Sequence, residues 1–173
     1  VVLTMSAVYD LYLSGQTRHY IWAAMLGGVA AGFKYNAAVI AFSIFMAHLL
    51  GPSEKSVRSV FFGKKLMVSA GVMIAIYLIT NPFSVLDFSA FRDQLLSQAS
   101  AERAFPIGYH MSYSLAEGIG LPMLLAAVLG GGWFFWTQAG PAVVVFSFPI
   151  LFYLLCLFVS QEHARYMLPL APF

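Results

Sequence analysis

The sequence predicts an all-α protein: a polytopic transmembrane helical bundle of about five spans, with one interfacial helix on its outer side. Three observations predict it. The chain is 61% hydrophobic and only 9% charged, where a soluble domain carries roughly 25% charged residues. Its mean hydropathy is +0.82. Its charges gather between the apolar stretches, positive in one segment and mixed in another. The net charge of +2 is too small to argue for a nucleic-acid partner. One cysteine, Cys156, rules out an internal disulfide or a cysteine-based metal cluster.

A membrane helix needs about 20 apolar residues, with a range of roughly 17–25. Residues 1–13 read as the end of a preceding span, 20–32 and 35–50 as two short spans, and 66–80 as a third. Residues 81–114 form a long outer loop. Residues 115–137, interrupted by glycines and Pro122, and 142–160 complete the five. The whole of 1–173 is one partial transmembrane domain. It opens on Val1 without a signal-peptide pattern and stops at Phe173 soon after a new apolar segment starts, so the sequence reads as an internal piece of a longer protein.

Charge orients the segments. Residues 51–65 hold Lys55, Arg58, Lys64 and Lys65 against Glu54, which places them in the cytoplasm by the positive-inside rule. Alternation then sends Lys34 and the loop 81–114 to one common, outer side. Within that loop, Asn81-Pro82 ends a span because proline disfavours helical geometry in the residue before it. Asp87 caps a following helix, in which Phe88, Phe91 and Leu95 recur at helical spacing. Gly28 and Gly32 allow close helix contact, and Pro149 kinks its helix.

Lys34 is the residue of most interest. It lies in an apolar run without another formal charge between Arg18 and Glu54, and a charge at membrane depth costs at least a few kcal/mol. Two readings stand. Lys34 snorkels to the outer headgroups, or its ammonium, with Tyr35 and Asn36, holds a phosphate. Arg165-Tyr166 admits the same pair of readings: an interfacial anchor, or a second cationic contact, since arginine binds phosphate oxygens in fixed geometry. His19 and His48 read as structural. Tyr109 and His110 lie in irregular loop, and no His spacing recommends a metal site. Asp93, Glu102 and Arg103 read as solvated, and Glu117 opens an apolar segment. No P-loop, dinucleotide fingerprint or His-Glu-x-x-His motif is present.

Three runs carry a resemblance. Gly27-Gly28-Val29-Ala30-Ala31-Gly32-Phe33-Lys34-Tyr35-Asn36, Thr80-Asn81-Pro82-Phe83-Ser84-Val85-Leu86-Asp87 and Arg165-Tyr166-Met167-Leu168-Pro169 resemble, in that order, segments of family-39-like glycosyltransferases of the GT-C fold. These bacterial enzymes are related to protein O-mannosyltransferases and the aminoarabinose transferase of lipid A. The resemblance implies transfer, with inversion, of a sugar from a polyprenyl-phosphate donor to a protein, lipid or glycan acceptor outside the cytoplasm. It implies a multi-pass location in the bacterial inner membrane, with the lipid bilayer, the donor lipid and the remainder of the chain or other membrane subunits as partners. It also implies that Lys34, Tyr35, Asn36, Arg165 and Tyr166 hold the donor phosphate, while Tyr109 and His110 shape the acceptor side. The acidic catalytic base belongs upstream of Val1, so this stretch alone is expected to be inactive. No bound cofactor is expected, and a need for divalent metal is left open. A transporter or flippase fragment, with Lys34 binding a passing anion, and a structural subunit of a membrane complex are the competing readings.

Overall fold

Helices in this chain stop where glycine or a polar residue interrupts the apolar pattern. The computed structural model describes residues 1–52, 61–100 and 120–158. Helix α1 (Val2–Ser14) ends at Gly15, whose φ of 60° is the left-handed conformation glycine adopts without strain, and whose N–H bonds the Leu11 carbonyl at 2.8 Å. Helix α2 (Thr17–Phe33) ends at Lys34, which is extended. A 3-10 turn (Tyr35–Val39) then leads into α3 (Ile40–Leu50). Helix α4 (Lys64–Thr80) ends at Asn81, one-turn α5 (Phe83–Leu86) follows Pro82, and α6 is Phe88–Ser100. Helices α7 (Leu121–Thr137) and α8 (Ala139–Phe158) meet at Gln138.

These lengths overturn the membrane reading. Helices α2, α4 and α7 have 17 residues each, about 25 Å at 1.5 Å per residue, against a hydrocarbon core of roughly 30 Å. Helix α3 has 11. Helix α8 reaches 20 but holds Pro149 inside it, and it turns Ala142, Val144, Phe148 and Phe152 into the core. Among the described residues, no helix is long and apolar enough to cross a membrane. The fold is all-helical among the described residues, but the polytopic bundle of five spans with an outer interfacial helix is corrected. So is its placement as a multi-pass protein integral to a bacterial inner membrane. The physical reason is that hydropathy averaged over the chain carries no length: Lys34, Asn81 and Gln138 cut the apolar runs before they reach span size.

The core lies where α1, α2, α3 and α8 converge. Val8, Leu11, Tyr20, Ala23, Ile44, Ala47 and Val144 form one cluster, and Met5, Ile40, Phe148 and Phe152 a second. Helix α2 supplies small residues to its inner stripe: Ala23, Ala24, Gly27, Gly28 and Ala31 recur at helical spacing and are buried. Against this stripe α4 runs parallel to α2. Ser69 Oγ donates to the Tyr20 carbonyl at 3.4 Å, Gly28 meets Met73 and Ile76, and Gly32 meets Thr80. The approach is close enough that a Cβ on Gly28 would lie 2.7 Å from the Met73 carbonyl oxygen.

Polar groups inside the bundle are paired. The Tyr20 hydroxyl hydrogen-bonds His48 Nδ1 and joins α2 to α3. Ser147 Oγ lies 2.7 Å from the Ser43 hydroxyl and from the Val144 carbonyl, tying α8 to α3. Among the described residues, no buried side-chain nitrogen or oxygen lacks a partner, as native interiors require. By contrast, α7 buries none of its residues, and Trp133 and Trp136 stand 72% and 89% exposed.

Two measurements check this packing. Gly28→Ala forces a methyl against the Met73 backbone and is expected to destabilise by about 1–3 kcal/mol in denaturant melts. Gly130→Ala, where nothing lies within 4 Å of the added methyl, should be neutral or stabilising by up to about 1 kcal/mol. The second measurement is pH dependence. Burial pushes the Tyr20 phenol up from 10.0 to about 12. Below pH 10 the phenol is protonated in folded and unfolded chains alike. As pH rises from 10 to about 12, the unfolded chain releases that proton first, so stability falls by about 2–3 kcal/mol and then levels. Melts of wild type and Tyr20→Phe across that window should differ by this slope, and equal slopes would refute it.

Candidate functional site

Parallel packing of α2 and α4 has a direct consequence. Both helices end at the same end of the bundle, so the polar residues that stop them are neighbours. Around them lies a cavity of about 600 Å³, within the roughly 300–1,000 Å³ of ordinary small-molecule sites. Gly32, Phe33, Lys34, Tyr35 and Asn36 line it from the end of α2 and the 3-10 turn. Asn81, Phe83, Ser84 and Asp87 line it from the end of α4 and α5, and Ala90, Phe91 and Gln94 from α6.

Local chemistry fixes each wall. Lys34 bonds back to Ala30 through its N–H at 3.0 Å, and its carbonyl accepts from Ala37 at 2.8 Å, so the break is a defined turn. Asn81 donates its N–H to the Tyr77 carbonyl at 2.8 Å and its Nδ2 to the Tyr77 hydroxyl at 3.3 Å. The Asn81 carbonyl accepts from Ser84 Oγ at 2.8 Å. Asp87 Oδ1 accepts from the Ala90 N–H at 3.3 Å and from Ser89 Oγ at 3.2 Å, which caps α6 as the sequence predicts.

The electrostatics are mixed. Two helix C-termini, each carrying about half a negative charge, end at the cavity, and Asp87 adds a carboxylate. Lys34 is the one lysine or arginine among the lining residues. Its place at the end of α2 is favourable for any cation, so part of its role is to offset that helix. What remains of the described lining is rich in neutral polar groups, which suit the hydroxyls of a ligand. Asn36, Asn81 and Gln94 carry amides, Tyr35 a hydroxyl, and Phe33, Phe83 and Phe91 aromatic rings, while the Ser84 hydroxyl is bonded to the Asn81 carbonyl. Phe33 and Phe83 are 89% and 70% exposed, which gives the mouth an apolar rim.

The structure thus brings Lys34, Tyr35 and Asn36 together in one wall. It sets them in the same cavity as the Asn81–Asp87 run. Arg165, Tyr166, Tyr109 and His110 lie outside the described residues, and with them the expected meeting of Lys34 and Arg165. His48 sits away from the cavity, paired with Tyr20. Asp87, which the sequence reads most simply as a cap and alternatively as a catalytic carboxylate, is also a wall residue, as is Gln94, which no sequence motif singles out. The signal was available: Asp87, Ala90, Phe91 and Gln94 are spaced three and four apart, on one face of α6. Among the described residues, no group of three or more His, Cys, Asp or Glu side chains could hold a metal ion. Comparison with protein-family models, curated proteins and solved structures finds no match for this chain.

Asp87→Ala removes the cap of α6, at a cost of about 0.5–2 kcal/mol. Hydrogen exchange at the Ala90 amide is expected to accelerate, whereas Asp87→Asn, which still caps, should leave it near wild type. Unchanged exchange in Asp87→Ala would show that the carboxylate does not hold this wall.

Proposed function

We propose that this cavity receives the head of a polyprenyl-phosphate-linked sugar, and that the chain is the middle-to-late portion of a glycosyltransferase that moves that sugar to an acceptor. The observation that carries the reading is convergence. The Gly-rich run ending in Lys34-Tyr35-Asn36 and the Asn81-Pro82-Phe83 run ending in Asp87 resemble two segments of one glycosyltransferase family, and both line a single cavity.

The chemistry supports it. A polyprenyl phosphoryl sugar is a phosphodiester with one negative charge, which one ammonium balances. In transfer the bond from the anomeric carbon to the phosphate oxygen breaks, and negative charge grows on that oxygen. A cation fixed beside it stabilises the transition state more than the ground state. Asn36 and Gln94 suit sugar hydroxyls, because an amide combines donors and an acceptor, and Asn81, with one donor bonded to Tyr77, adds a further acceptor. The exposed rings of Phe33 and Phe83 suit the first isoprene units of the carrier. A diphosphate, with more negative charge, fits less well beside Asp87 and the two helix C-termini.

Farnesyl methyl phosphate, a short phosphodiester of the same charge, tests the reading. Equilibrium binding should be tighter than for farnesyl diphosphate. Lys34→Ala should weaken it about tenfold to a hundredfold, the range of 1.5–3 kcal/mol for a hydrogen bond to a charged group. Lys34→Arg should retain most of the affinity. Absence of binding, or equal affinity in Lys34→Ala, would overturn the reading.

A further inference from the structure

We propose that the contact between Gly32 and Thr80 sets the width of the cavity and so governs which head groups it admits, an inference that deepens the reading above and rests on it for the ligand. Gly32 lines the cavity on one wall, and Thr80 immediately precedes Asn81 on the other. They meet where the parallel helices α2 and α4 end. A Cβ on Gly32 would lie 2.0 Å from Thr80 Oγ1 and 2.7 Å from Thr80 Cβ. Rotation of the threonine moves its hydroxyl away but leaves its Cβ in place. The hydroxyl is also engaged, bonding the Ile76 carbonyl at 2.9 Å and the Tyr77 carbonyl at 3.1 Å. Tyr77 in turn accepts from Asn81 Nδ2 at 3.3 Å. Gly32–Thr80 is the last contact between α2 and α4 before the cavity, and the absence of a side chain at residue 32 lets the two walls stand as near as they do.

Gly32 and Thr80 are positioning residues on this account, acting through Asn81 and Lys34. A methyl at 32 wedges the helix ends apart and widens the cavity. Removing the atoms it strikes reverses the effect: with Thr80→Gly the next obstacle is the residue-80 carbonyl carbon at 3.7 Å, an ordinary contact.

Spin labels at Phe33→Cys and Phe83→Cys, with Cys156→Ser, report the wall separation without any ligand. Gly32→Ala should lengthen it by about 0.7 Å, the amount by which the 2.7 Å to Thr80 Cβ falls short of ordinary contact at 3.4 Å. Gly32→Ala with Thr80→Gly should restore it. In the unlabelled protein, Gly32→Ala should bind farnesyl methyl phosphate about tenfold to a hundredfold more weakly, the loss expected when a hydrogen bond to a charged group is broken, and the double variant should recover. An unchanged separation overturns the inference whatever the ligand, as does a folded double variant that fails to recover either quantity. If the separation shifts and recovers while wild type binds no farnesyl methyl phosphate, the gauge stands and the sugar-donor reading falls. Should Gly32→Ala not fold, the double variant must fold with the wild-type separation, and its failure to do so overturns the inference.

Discussion

The close, parallel packing of α2 on α4 is the constraint on which the rest of this structure depends. Two helices approach so nearly only where side chains are small, and α2 offers Gly28 and Gly32 at one helical turn's spacing, facing Met73, Ile76 and Thr80. The energy of such a contact is dispersion between many atoms at short range, each interaction small and the sum large. Parallel direction matters as much as closeness. It places the last turns of both helices at one end, with the polar residues that stop them side by side.

That arrangement concentrates chemistry in a bundle otherwise poor in it. Few of the 173 residues are charged, yet Lys34 and Asp87 line one cavity together with three amides. The helix C-termini work against a highly charged anion there and in favour of a cation, so Lys34 belongs to the fold as well as to the site. A residue with both duties is easily misread from sequence: buried charge suggests function, while helix-end charge suggests compensation. Here the two coincide at the wall of a cavity.

The hydropathy of the chain has a different physical meaning from the one its composition suggests. Apolar residues cover the inner faces of α1, α2, α3 and α8, but they also cover much of α4 and all sides of α7. Composition counts both kinds of position alike. Spanning a membrane needs unbroken length, and the interruptions at Lys34, Asn81 and Gln138 take that length away while leaving the average high.

Several helix ends are legible in the sequence, whereas the 3-10 turn of Tyr35–Val39 inside the run 35–50 is not. The polar interruption after Phe33, the Asn81-Pro82 stop and the Asp87 cap are local events, decided by backbone geometry and hydrogen bonds within a few residues, and they are legible for that reason. Lys34 and the Asn81–Asp87 run were expected on one side of a membrane; they do share one end of the bundle, but the packing of α2 on α4 puts them there and not a bilayer. The tertiary structure alone decided that these two runs share one cavity. Gln94 is a wall residue because α6 borders the cavity at which α2 and α4 end, and Asp87 acquires a second role beyond its cap for the same reason. Such facts depend on the distance between segments far apart in the chain, which no local pattern encodes. In this protein that distance is fixed by atoms that are missing: the side chains that Gly28 and Gly32 do not have.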